Sequence, residues 1–161
     1  MTALRDARET GRRAHWFYGG LMITHVSGAE TDGRFCLLES LQPADQWTPL
    51  HVRRDTDLTQ YVLEGELTVY LPDGSFVLGP GDCLNAPMRL PRTEHVTSAG
   101  PLRVLDFTAP AGFDAFVASA GEPAPEMQLP PSDAPPVDIE RLAALAAEHG
   151  IEILGPPGKL P

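Results

Sequence analysis

The sequence is short of positive charge and of cysteine, and it has no long apolar run. Lys and Arg number 12 against 22 Asp and Glu, a formal net charge of −10. A field of that sign repels phosphate backbones and anionic lipid surfaces, so neither nucleic acid nor membrane is expected as a partner. No stretch approaches the roughly 20 apolar residues of a membrane span, and the chain opens without a signal-peptide pattern. A cytoplasmic location is the expectation. The two cysteines, Cys36 and Cys83, are read as buried thiols rather than as a disulfide. There is no G-x-S-x-G, no phosphate-cradling Gly-Lys-Ser/Thr, no C-x-x-C pair and no Rossmann glycine pattern. These absences leave a cavity inside the fold as the candidate site.

What is present points to one all-β domain. At 161 residues the chain is long enough for a single core and short for two. Over residues 16–107, short apolar stretches are broken by turn signals at Gly28, Gly33, Pro43, Gly74 and Gly81. That punctuation suits an antiparallel sandwich or barrel. Residues 60–63 and 66–71, with Glu64 and Gly65 between them, alternate and read as a hairpin. Residues 112–120 read as a short helix, and 122–137 are too Pro-rich for one. Asp138 is placed to cap a helix that runs to His149 and stops at Gly150, with Ile139, Leu142, Leu145 and Ala146 on one face. A short helix of this kind needs a surface to cover, on its own barrel or on a neighbouring chain. Residues 151–154 suit one more strand. The expected organisation is an N-terminal arm over 1–15, a barrel with its following helix over 16–121, a linker over 122–137, and a C-terminal helix and tail over 138–161.

Two segments carry a family resemblance. The stretch from His51 to Gly65 and the stretch from Gly79 to Arg92 resemble the two motifs of the cupins, small double-stranded β-helix (jelly-roll) barrels. Gly65, Gly81 and Pro87 stand where the family has its turn residues. The four positions that hold metal ligands in the family are here His51, Arg53, Leu58 and Arg92. The run Pro91-Arg-Thr-Glu-His-Val-Thr-Ser resembles the end of the second motif without a gap, which favours Arg92 over His95 at the fourth position. Single-domain, quercetin dioxygenase-like bacterial cupins are also similar along the tail. Members with the full ligand set are metal-dependent dioxygenases, isomerases, lyases and decarboxylases. Leucine has no donor atom and a guanidinium has no free lone pair, so the resemblance implies the fold and no metal cofactor.

If the register follows the family, His51, Arg53, Leu58, Gln60 and Val62 face inward, with Arg92 and Glu94. Two buried guanidiniums need negative charge nearby. Glu39, Asp57 and Glu94 are the internal candidates, and an anionic ligand is the alternative. His51 is read as the acid or base, with Arg53 and Arg92 binding the oxyanion that forms. Gln60, Glu39, Glu94 and Asn85 are assigned to substrate binding.

The expected function is therefore a metal-independent cupin enzyme that catalyses cyclisation, isomerisation, epimerisation or elimination on a small anionic or polyketide-like metabolite of bacterial secondary metabolism. One alternative is a non-catalytic binding protein for a carboxylate. Another is a quercetinase-like dioxygenase with a weak metal on His51, His95 and Glu94. A homodimer is expected, formed through strand edges and terminal segments as in many cupins.

Overall fold

A computed structural model describes residues 13–161. The first part of the expected arm lies outside the described residues, whereas residues 13–15 already belong to a sheet. In chain order the strands are β1 (Arg13–Phe17), β2 (Gly20–Val26), β3 (Cys36–Gln42), β4 (Pro49–Arg53), β5 (Asp57–Glu64), β6 (Leu67–Leu71), β7 (Gly74–Leu78), β8 (Cys83–Ala86), β9 (Thr93–Val96) and β10 (Leu102–Ala109). Helix α1 (Phe113–Ala120) follows, then β11 (Glu122–Pro123), helix α2 (Ile139–Glu148) and β12 (Ile151–Pro157). No described helix is long and apolar enough to cross a membrane.

One sheet has the order β11-β1-β2-β3-β10-β5-β8. Facing it are β7-β6-β9 and the pair β12-β4, joined by backbone bridges from Trp47 to His95 and from His51 to Arg92. The two layers close into the expected all-β jelly-roll barrel. Alternation along each strand decides what it buries. In β10, Leu102, Val104, Asp106 and Thr108 are buried, while Arg103 and Phe107 are exposed. Val62, Leu67, Val69, Leu78, Val96, Leu102 and Val104 form an apolar plug in one half of the barrel.

The hairpin expected around Gly65 does not form. β5 pairs with β10 and β8, whereas β6 pairs with β7 and β9. Gly65 is a corner at which the chain passes from one sheet to the other. Its φ is +83°, and a Cβ there would lie 2.8 Å from the Pro101 carbonyl oxygen, so only glycine makes the corner without strain. The true hairpin is β6–β7.

The C-terminal segment covers its own barrel. The Asp138 side chain caps α2 by accepting from the Arg141 N–H at 3.0 Å. Leu142 and Ala146 pack against Phe116 of α1 and Ile151 of β12. β12 then pairs with β4, setting Ile153 opposite His51 and Ile151 opposite Arg53. The Pro-rich stretch forms no helix, but β11 pairs with β1, and the Trp16 indole donates to the Gln128 carbonyl at 2.9 Å.

Candidate active site

Between the apolar plug and the α1–α2 cover lies a cavity of about 110 Å³. Its cover side is apolar: Phe17, Met22, Phe113, Phe116, Leu142 and Ile153. Its floor is polar: His51 and Arg53 from β4, Gln60 from β5, Glu94 from β9 and Asp106 from β10. Each floor residue occupies an inward position of its strand, so strand periodicity gathers five polar side chains at one depth. By this measure one water needs roughly 10–15 Å³, so the space suits a small metabolite rather than a polymer.

His51 is nearly buried, at 9% exposed. Its Nδ1 lies 2.8 Å from the Pro49 carbonyl oxygen. A carbonyl accepts only, so Nδ1 carries the proton and Nε2 keeps its lone pair. Burial, then the Arg92 charge, hold the imidazole down at about 4. His51 is consequently neutral at pH 7. It is equipped as a base and poorly equipped as an acid, which narrows the expectation for it.

Arg53 is 6% exposed and stacks over the Phe113 ring, its guanidinium carbon 4.2 Å from the centroid. Among the described residues no carboxylate lies within ion-pair distance of it, and its Nε is buried without a partner. Burial, then repulsion from Arg92, lowers its pKa to about 10, so it stays cationic at neutral pH. A buried cation held by an aromatic face and lacking a counterion is prepared for an anionic oxygen.

Arg92 takes a different place from the one expected. It is wholly buried and does not line the cavity. Its Nε donates to Glu94 Oε1 at 3.0 Å, while Nη1 and Nη2 have no partner. The backbone bridge between His51 and Arg92 sets Arg92 behind His51 and Glu94, where its charge acts on both. It is a positioning residue. Burial pushes the Glu94 carboxyl up, but Arg92, His51, Gln60 and Arg53 together outweigh it, and Glu94 stays below the ordinary carboxylate range.

Gln60 bridges the two acids. Its Nε2 donates to Glu94 Oε2 and to Asp106 Oδ1, each at 3.2 Å, and its Oε1 is buried without a partner. Burial, then the neighbouring Glu94 charge, raise Asp106 to about 6. Sequence reasoning did not single out Asp106. The signal was available: an aspartate in the inward series with Leu102, Val104 and Thr108 interrupts an otherwise buried face.

Two of the expected binding residues lie elsewhere. Glu39 sits on the opposite face of β3 from the buried Cys36, Leu38 and Ser40. There it pairs with His25 Nε2 at 2.8 Å and Arg103 Nε at 2.5 Å. Asn85 is exposed and accepts from the Thr59 hydroxyl at 2.9 Å on the outside of the barrel. Asp57, a possible counterion for Arg53, instead accepts the Met88 N–H at 2.8 Å. His95 also points away from the cavity, stacked on Trp47 at 3.8 Å and 2.7 Å from Asp45. It cannot join His51 and Glu94 around an ion. Cys36 is buried and Cys83 exposed, and both are free thiols.

Residues 37–108 match the cupin domain model, and the barrel that contains them has the cupin fold. The fold is similar to the polyketide cyclase RemF from Streptomyces resistomycificus at 21% identity and TM-score 0.56, over 68% of this chain and 80% of that one. Ectoine synthase from P. lautus is similar at 13% identity and TM-score 0.60, over 83% and 96% of the two chains. The nucleoside dehydratase Pac13 is similar at 14% identity and TM-score 0.52, over 69% and 84%. At these identities the likeness is one of fold. Among curated proteins, none matches the chain at a significant level.

The metal that many cupins hold does not fit these residues. Where the family places four donors this chain has one imidazole, two guanidiniums and a leucine. The described residues contain no cluster of three His, Cys, Asp or Glu able to hold an ion. The Arg92 guanidinium behind His51 already holds the Glu94 carboxylate at 3.0 Å, so the place of the fourth donor carries positive charge and offers a metal no lone pair.

Proposed function

We propose that this chain is a metal-independent acid–base enzyme acting on a small, enolisable organic anion. The observation that carries the reading is the pairing of a neutral His51, its Nε2 free, with an unpaired Arg53 on one cavity floor. His51 takes a proton from a carbon next to a carbonyl. The electron pair of that C–H bond moves onto the carbonyl oxygen, and the enolate is held by Arg53. Return of the proton elsewhere gives isomerisation or epimerisation. Expulsion of a leaving group gives elimination, and attack on a second carbon gives cyclisation. The apolar cover excludes water and accepts the carbon skeleton. The fold neighbours include a cyclase, a synthase and a dehydratase, which agrees with chemistry of this class.

The test is deuterium exchange at the carbon acid. Chelator-treated protein is incubated in heavy water with a panel of β-keto and β-hydroxy acids, and exchange is followed by NMR. The reading predicts exchange with at least one member, unaffected by chelator and reduced at least a hundredfold by His51→Gln. Exchange that requires added metal, or that survives His51→Gln, would overturn it.

A further inference from the structure

The polar floor carries a charge balance that limits what the cavity can bind. Arg53 and Arg92 supply two positive charges, and Glu94 and Asp106 supply two carboxyls. His51 is neutral. Among the described residues, Arg53, Glu94 and Asp106 are the charged side chains that line the cavity beside the neutral His51, with Arg92 directly behind. With both carboxyls ionised the floor carries no net charge, and an entering anion adds a negative charge that nothing on the floor compensates. With one carboxyl protonated the floor carries one net positive charge, enough for a monoanion.

Asp106 is the carboxyl free to take that proton. Glu94 is held ionised by the Arg92 Nε at 3.0 Å. Asp106 touches no cation. The groups facing it are Gln60 Nε2 from β5 at 3.2 Å, the Ser40 hydroxyl from β3, the Glu94 charge from β9 and the more distant Arg53 from β4. Charges buried in a poorly solvated cavity are costly when they do not cancel. A ligand anion placed beside Asp106 and Glu94 therefore favours the protonated acid.

We propose that the cavity is a proton-coupled anion site: a monoanion with an apolar, ring-sized body binds with its anionic oxygens on Arg53, and its binding draws one proton from solvent onto Asp106. The apolar cover selects the body, and the unpartnered Gln60 Oε1 accepts a hydroxyl or amino hydrogen of the ligand. The coupling also gives the acid–base cycle a second proton-carrying group, since His51 is prepared only to accept. The proposal rests on the functional reading above for its ligand class, but it makes a claim about binding alone.

The probe is benzoate, followed by titration calorimetry at pH 5.5, 6.5 and 7.5 in pairs of buffers with different ionisation enthalpies. Wild-type protein is expected to take up close to one proton per benzoate at pH 7.5 and much less at pH 5.5. Affinity should fall about tenfold per pH unit above about 6. Asp106→Asn, neutral at every pH, should bind with pH-independent affinity and no proton uptake. His51→Gln alters the cavity floor itself, so it is read by proton stoichiometry rather than by affinity: uptake per bound benzoate at pH 7.5 should stay close to one while exchange activity is lost, which separates the two claims. Binding by wild type without proton uptake would overturn the proposal, as would uptake that persists in Asp106→Asn or no benzoate binding at pH 5.5.

Discussion

Arg92 donates from Nε to Glu94 Oε1 across 3.0 Å, and both side chains are buried. The pair stands where the family's fourth ligand would be and changes what that position does. A metal ligand presents an electron pair to the cavity. Arg92 instead stays behind the wall, keeps Glu94 ionised and lowers the pKa of His51.

Breaking that pair from one side leaves an uncompensated charge in the core. Arg92→Met is expected to lower stability by about 3–5 kcal/mol. The double variant Arg92→Met with Glu94→Gln should recover much of the loss, because both charges are then gone. Urea unfolding of the four proteins of the cycle measures the coupling. Equal stability of the single and double variants would contradict the assignment.

Asp106 makes stability depend on pH with a definite sign. Its pKa rises from 3.8 to about 6 on folding, so the folded state binds its proton more tightly than the unfolded chain. That contribution is fully present below about 4 and is lost as pH rises through about 6. Asp106→Asn does not titrate. Relative to wild type, the variant should gain on the order of 1–3 kcal/mol between pH 4 and pH 7.5. Unfolding curves at the two pH values test this, and a gap that closes or reverses with rising pH would refute it.

Arg53 is expected to trade stability for function. It is a buried cation without a carboxylate partner, so Arg53→Met should leave stability unchanged or raise it by up to about 3 kcal/mol. The same change should abolish deuterium exchange and weaken benzoate at least a hundredfold. Thermal unfolding and calorimetry on one sample of the variant give both readings. A marked loss of stability with binding intact would make Arg53 a structural residue.

The fold and the centre of the site were legible because strand alternation is strict. Once Gly65, Gly81 and Pro87 set the frame, His51, Arg53, Leu58, Gln60 and Val62 had to share a face, and all are buried. The Arg92–Glu94 pair followed from a spacing of two where the extended chain enters β9. Gly65 misled because a glycine turn signal between two alternating segments marks equally a hairpin and a corner between sheets. The choice depends on strand partners far away in sequence. Glu39 misled because β3 has no motif residue to anchor its inward series, and Asn85 because Gly81 and Pro87 flank β8 without fixing which of its faces turns inward. Asp106 was overlooked although its neighbours in β10 announce the buried face. Its significance appears only when Gln60 joins it to Glu94.

The central claim is that His51 is a neutral base with its proton on Nδ1. Nitrogen NMR of protein labelled at the histidine ring, titrated from pH 8 to pH 4 without added metal, tests it directly. The account predicts a single Nδ1–H tautomer throughout the upper range, with protonation near pH 4. Titration near the ordinary 6.5, or an Nε2–H tautomer with Nδ1 unprotonated, would contradict it.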